Sequence, residues 1–231
     1  MDSTCDFFML PFVEIEIRLG TIGKNKNGYN KFDSSIDRKY FEKIKEILDS
    51  GEWEQTVDKN TIEYIKSNII EDKTSTLDDL TSKMNNVSLK SSSLKLITEN
   101  NKKDNMLLKE NISTEDFQIN SSPFDIRYSI NQEFNLKSQI NSFSKIDCVI
   151  RNKSRKSFIN QDFKYDLTTV IDIIGGVSRT KYEIEIEIIV NKNTLTWKTC
   201  YVHDFIECKV YDLINIVEPM ERDKFKLNFK T

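Results

Sequence analysis

The chain has 231 residues, 38% hydrophobic and 31% charged, enough apolar side chain for one sizeable core or two small ones. Its formal net charge of −3 excludes nucleic-acid binding by bulk positive charge, so any anion site must be local. Cys5, Cys148, Cys200 and Cys208 form no CxxC and His203 is the only histidine, which argues against a zinc cage or a histidine-based triad. No apolar run approaches the ~20 residues of a membrane-spanning helix and no secretory leader is visible; the sequence reads as intracellular, reduced and without a membrane partner.

From Val13 the hydropathy alternates with a period of two: Val13, Ile15, Ile17 and Leu19 share one face, and Glu14, Glu16 and Arg18 the other. That pattern predicts a strand. TIGKNKNGYN follows, with two glycines and three asparagines, and reads as a turn or flexible loop. Ser34 or Ser35 is placed to cap a helix whose Ile36, Tyr40, Phe41, Ile44, Ile47 and Leu48 recur at helical spacing, with Gly51 as a left-handed stop. Residues 72–115 are rich in Ser, Thr, Asn, Asp and Lys, which predicts a surface excursion or mobile segment with little chemistry.

The period of two returns in PFDIRYSIN (123–131), CVIRNKSRKSF (148–158) and FKYDLTTVIDI (163–173), and again, after a turn at Gly175-Gly176, in VSRTKYEIEIEIIV (177–190). HDFIECKVYDLINIVEPMER then spaces Phe205, Ile206, Val210, Leu213, Ile214 and Val217 as an amphipathic helix stopped near Pro219.

A strand with one polar face is ordinarily half exposed, with its charges in water. Three observations speak against that here. Of seven arginines, Arg18, Arg127, Arg151, Arg155 and Arg179 all fall on the charged strand faces, and the guanidinium fork suits bidentate phosphate or carboxylate contacts. The charges are sorted: Glu14 and Glu16 form an acidic pair, Glu183, Glu185 and Glu187 an acidic row, and the middle strands carry bases. An acidic row repels itself unless a cation lies against it, and hard ions such as Mg²⁺ or Mn²⁺ take oxygen ligands of this type. Finally, the opposite faces are apolar, so helices can cover the sheet from outside while the charges line an interior. The expected fold is α+β: a closed antiparallel β-barrel with a charged lumen and helices packed outside, a container for a polyphosphate and a metal.

These residues resemble a known family. VEIEIRLG (13–20), DIRYS (125–129), IRNKSRKSF (150–158), KYDLTTV (164–170) and YEIEIEI (182–188) stand in the order found in the divalent-metal-dependent RNA 5′-triphosphatases of fungi, protozoa and large DNA viruses, members of the triphosphate tunnel metalloenzymes. The resemblance is nearest in kind to the N-terminal domains of multifunctional viral mRNA capping enzymes. It implies one tunnel domain over 1–231, the N-terminal part of a longer enzyme with a guanylyltransferase domain in cis, working in the host cytoplasm, viral factory or virion.

The same resemblance implies that Glu14, Glu16, Glu187 and Glu185 hold Mg²⁺ or Mn²⁺ and that Glu183 orients water. Arg127, Lys153, Arg155 and Lys164 would grip the 5′-triphosphate end of RNA or a free nucleoside triphosphate, braced by Asp166 and Thr168. Arg18, Arg151, Arg179 and Lys181 share the inward phase and are candidates for phosphate contact or for balancing a carboxylate. Lys164 departs from the family, which usually has Arg there; the family's acid between the strands of Arg127 and Lys153 has no evident counterpart, and Lys137 is a candidate for its tunnel lysine. Two rivals are a tripolyphosphatase or thiamine-triphosphatase of the same superfamily, approached by EIEIR at 14–18, and a non-catalytic β-module that binds a basic partner through solvent-exposed acidic strands.

Overall fold

In a computed structural model, residues 8, 10, 12–67, 92–99, 104–120, 122–136, 145 and 148–229 are described. They form nine strands and two helices: β1 (Val13–Lys24), β2 (Asn30–Asp33), α1 (Arg38–Ser50), β3 (Gln55–Ser67), β4 (Ser92–Glu99), β5 (Asn105–Phe117), β6 (Asp125–Asn135), β7 (Val149–Asn160), β8 (Phe163–Ile174), β9 (Val177–Ile188) and α2 (Thr199–Val217). The sheet runs β1-β6-β5-β4-β3-β7-β8-β9, and β9 pairs back onto β1. Eight antiparallel strands thus close into a ring, which removes every edge that an open sheet would expose. β2 lies outside the ring and pairs only with the far end of β1, through Thr21↔Asp33 to Lys24↔Asn30.

The alternation read from the sequence decides which face is which. Ile15, Ile17 and Leu19 of β1, Ile126 of β6, Leu167 of β8, and Ile184, Ile186 and Ile188 of β9 are all buried and point outward. There they meet Phe41, Ile44 and Leu48 of α1 and Val202, Ile206, Val210, Leu213 and Ile214 of α2. Each such side chain contributes about 1.5–3 kcal/mol of transfer free energy. Because the apolar face is satisfied outside, the other face of the same strands can carry charge into the lumen.

Four local expectations are corrected. Helix α1 begins at Arg38 because the Asp37 carboxylate accepts from the Lys39 amide; neither Ser34 nor Ser35 is the cap. Gly51 closes it in an extended conformation (φ −80°) and donates its amide to the Leu48 carbonyl, so no left-handed stop is used. The stretch TIGKNKNGYN is half strand and half turn: β1 continues to Lys24 and β2 starts at Asn30, joined by the turn 25–29, in which Asn25 Oδ1 accepts from the amides of Asn27 and Tyr29. Residues 72–115 are not wholly a surface excursion either, since 92–99 and 105–115 are ring strands; 72–91 lies outside the described residues. Polar side chains on both faces had hidden their period. The turn expected at Gly175-Gly176 joins β8 to β9, with both residues at positive φ (56° and 80°), as a two-residue hairpin with a type I′ geometry favours.

Candidate active site

Inward positions follow from register. Glu16 of β1 lies opposite Glu187 of β9, and Arg18 opposite Glu185. Lys164 of β8 faces Glu187, Asp166 faces Glu185 and Thr168 faces Glu183. Arg155 of β7 faces Thr168, and Arg151 faces Asp172. Closure therefore brings the two acidic motifs, separated by about 170 residues of sequence, onto adjacent strands inside one lumen.

Every lumenal carboxylate here is met by a cation. Lys109 of β5 bonds Glu14 and lies 3.2 Å from Glu16 and 3.5 Å from Glu133. Arg18 bridges Glu16 (3.1 Å) and Glu185 (2.8 Å). Arg155 is held on three sides, by Thr168 Oγ1 (3.0 Å), Asp166 (2.9 Å) and Glu185 (3.0 Å). Lys164 binds Glu187 at 2.8 Å and reaches Asp166 at 3.4 Å. Asn131 of β6 donates to Glu14 and Glu16. Glu16, Glu183 and Glu185 are only 4%, 4% and 6% exposed, which removes the reading of acidic strands open to a basic partner.

The balance of forces differs around the ring. Burial alone would raise Glu185, but Arg18 and Arg155 outweigh it and hold the carboxyl well below its usual range. Glu16 is also lowered: burial is overcome by Arg18 and Lys109. Glu187 goes the other way, pushed up to about 7 by burial that Lys164 does not offset, with Glu14 adding repulsion. Glu14 is raised by burial and by Glu16. So Glu14 and Glu187 mark a pole where negative charge exceeds what the protein's own cations neutralise.

Among the described residues, no three acidic or ligating side chains converge as a ready metal cage. The donor set nevertheless fits a hard divalent cation: it consists of carboxylate oxygens only, with Glu16 and Glu187 on directly paired positions of β1 and β9 and Glu14 next in phase on β1.

The remaining sequence-predicted residues sit apart from that pole. Glu183 shares Oε1 between Ser34 Oγ (3.0 Å) and Arg151 (2.7 Å), while Arg151 also binds Asp172. Lys181 lies 3.3 Å from Asp172, and Arg179 is exposed on the same strand toward the other mouth. Lys153 pairs with Glu63 at 2.9 Å. Arg127 makes a bidentate bond to Asp116 and stacks on Phe32 (4.7 Å), at the mouth opposite Glu14. Lys137 lies outside the described residues.

Sequence reasoning missed the wall built by β3, β4 and β5. It contributes Lys109, Glu63, Asn105 and Lys95, and β6 adds Asn131 and Glu133. Lys95 faces the lumen without an ion-pair partner among the described residues, and burial pushes its pKa down to about 8. Glu63 Oε2 and Asn105 Oδ1 are buried without a hydrogen-bond partner among the described residues. The one available signal was the DIRYSINQE stretch, where Asn131 and Glu133 continue the inward phase of Arg127.

Residues 9–199 match the family model described as mRNA capping enzyme, beta chain. The chain belongs to this mRNA capping enzyme family. Comparison with curated protein sequences gives no match. Among solved structures, the S. pombe Pct1 RNA triphosphatase is similar at 15% identity with a TM-score of 0.63, over 89% of this chain and 85% of that one. The Mimivirus capping enzyme triphosphatase is similar at 15% identity with a TM-score of 0.54, over 92% of each chain. These likenesses establish the tunnel fold, and membership of the capping enzyme family rests on the match over most of the chain.

Proposed function

We propose that this capping-family chain hydrolyses the γ-phosphate from the 5′-triphosphate end of RNA and leaves the 5′-diphosphate end that guanylylation requires; a free nucleoside triphosphate fits the same chemistry. The observation that carries the reading is the sorting of charge within one closed lumen: Glu14, Glu16 and Glu187 at one pole, Arg18, Lys109, Arg155 and Lys164 around it, and Lys153 farther along the wall on Glu63. The family membership and the names of the Pct1 and Mimivirus neighbours support it.

Glu14, Glu16 and Glu187, with Glu185 beside them, would hold Mg²⁺ or Mn²⁺, which supplies Lewis-acid polarisation of the γ-phosphate. The chain's own side chains do the rest. Lys109 and Lys164, now on the carboxylates, are placed to turn to phosphate oxygens. Arg155, fixed by Thr168, Asp166 and Glu185, presents a preorganised fork to charge developing on the transferring group. Glu183 has Ser34 and Arg151 as partners, which suits it to fixing Arg151 as well as ordering water. We assign Glu133, on the same strand as Arg127 and 3.5 Å from Lys109, to positioning the attacking water. We further propose one tunnel domain over this chain, serving a guanylyltransferase in cis.

Release of labelled γ-phosphate from triphosphate-ended RNA, measured with Mg²⁺, with Mn²⁺ and with chelator, tests the reading. Metal-dependent release that falls on the order of 10²-fold or more in Glu16→Ala and Glu187→Ala is expected. No release by the folded wild type with either metal would overturn it. A clear preference for inorganic tripolyphosphate over RNA would assign the chain to the rival branch of the superfamily.

A further inference from the structure

The two mouths of the tunnel differ, and one carries a device that the chemistry above leaves unused. Pairing of β1 to the ring ends at Gly20↔Asp125; from Thr21 to Lys24 the strand pairs only with β2. The β1–β2 hairpin therefore projects as a two-stranded ribbon from the mouth that also holds Arg18, Arg127, Arg151, Arg179 and Lys181.

Its composition stands out from the rest of the chain. From Thr21 to Phe32 there is no Asp or Glu, against Lys24, Lys26 and Lys31, in a protein of net charge −3. All three lysines are exposed and form no ion pair among the described residues, and Tyr29 is 71% exposed at the tip. Asp33, at the base, is occupied by the Ser35 amide, and Asp125 by the amides of Ile22 and Ile119. Asp116 and Asp172 at this mouth are already bonded to Arg127 and to Arg151 and Lys181. An exposed cluster of like charges with an aromatic among them is unfavourable in isolation and suits a polyanion with stacking bases.

The ribbon is also held in a fixed pose. Gly20 lets it approach: a Cβ there would meet the Asp33 carbonyl at 2.2 Å and the Phe32 ring at 2.5 Å. Phe32 is 8% exposed and lies under the Arg127 guanidinium. Since Glu14, Glu16 and Arg18 point into the lumen, the period of two puts Ile22 and Lys24 on the same side of β1. Lys24 thus extends the inner wall past the mouth, eight residues or roughly 27 Å from Glu16. That is far beyond a triphosphate bound at the acidic pole, and it is where the following nucleotides of a long substrate would run.

We propose that the β1–β2 ribbon is a binding site for single-stranded RNA wrapped over its tip: Lys24 on the lumenal face, Lys26 in the turn and Lys31 on the other face contact backbone phosphates downstream of the 5′ end, and Tyr29 stacks a base. The proposal rests on the triphosphatase reading and adds how the enzyme distinguishes an RNA end from a free triphosphate. No sequence is read; phosphate and stacking contacts are sequence-tolerant.

The test measures KM for triphosphate-ended single-stranded RNA and for inorganic tripolyphosphate, across a salt series, in wild type, in the triple Lys24→Ala/Lys26→Ala/Lys31→Ala variant and in Tyr29→Ala. In the triple variant KM for RNA should rise on the order of tenfold, and its logarithmic salt slope should fall by about 0.7 for each lysine that contacts phosphate. Tyr29→Ala should raise it about fivefold or more, with Tyr29→Trp restoring it. Tripolyphosphate kinetics should not change, which also verifies folding. RNA kinetics and salt slope equal to wild type in both variants would overturn the ribbon site while leaving the triphosphatase intact. A wild type inactive on both substrates defeats the triphosphatase reading, and the ribbon proposal then stands or falls on direct binding of the same RNA, which the triple variant must weaken.

Discussion

The lumen has two unlike walls. On β9, β1 and β8, lumenal charge alternates with outward Ile, Leu, Phe and Tyr buried beneath α1 and α2, and almost every charge has a complementary one on a neighbouring strand. On β3, β4 and β5 no helix covers the outer face among the described residues; Asn60, Ile62 and Thr98 line a cavity of about 460 Å³ there, shared with Asn152, Ser154, Thr169 and Ile171. Among the described residues the inner face has looser ends: Lys95 has no ion-pair partner, and Glu63 and Asn105 each have a buried oxygen lacking a hydrogen-bond partner. The first wall is built like a preorganised site, and the second supplies the adaptable groups that a substrate can recruit.

That contrast predicts a large penalty for breaking the first wall. Arg155→Ala would leave Asp166 and Glu185 facing each other without their shared cation, both nearly buried. Loss of about 3–5 kcal/mol in denaturant unfolding is expected. If the variant unfolds like wild type, the wall is not the rigid half of the tunnel.

The acidic pole should show in the pH dependence of stability without metal. Glu187 has a folded pKa raised above its unfolded value, to about 7, so its folded state binds the proton more tightly. Its contribution is favourable at pH 4.5 and below, and is lost as pH rises from 4.5 through 7, at a cost on the order of 2 kcal/mol. Glu14, also raised, acts in the same direction. Glu185, lowered, acts oppositely, losing its contribution only below 4.5. Thermal unfolding should therefore weaken from pH 5 to pH 8 in chelator, and Glu187→Gln should flatten that slope. An unchanged slope in the variant would place the repulsion elsewhere.

A smaller effect is expected where charge meets solvent. Arg127 and Asp116 are a third exposed, so Arg127→Ala should alter stability by no more than about 1 kcal/mol. If it instead destabilises as strongly as Arg155→Ala, the distinction between rigid wall and open mouth fails.

The two walls also explain what could be read from sequence. Where α1 and α2 cover a strand, the outward residues must be apolar and the inward ones charged, so YEIEIEI and VEIEIRLG declare both faces at once. β3 reads QTVDKNTIEYIKS, with Asp58, Asn60 and Lys66 outward and Lys59, Thr61 and Glu63 inward; polar residues on both faces cancel the period. β4 and β5 are blurred in the same way, and a bulge between Asn111 and Ser113 shifts the phase in β5. So Lys109, the cation on Glu14 and Glu16, was not legible, and only the closed ring reveals it. The roles of Glu14, Glu16 and Glu187 could be proposed from pattern, but their apposition across β1 and β9 needed the register.

The divalent-cation site proposed at Glu14, Glu16 and Glu187 can be probed by Mn²⁺ binding followed by electron paramagnetic resonance on the folded protein without substrate. A single saturable site, competed by Mg²⁺ and abolished in Glu16→Ala/Glu187→Ala while Arg127→Ala retains it, is the expected result. Equal binding in wild type and the double variant, or no binding by the folded wild type at any pH above 7, would mean that these carboxylates hold no metal.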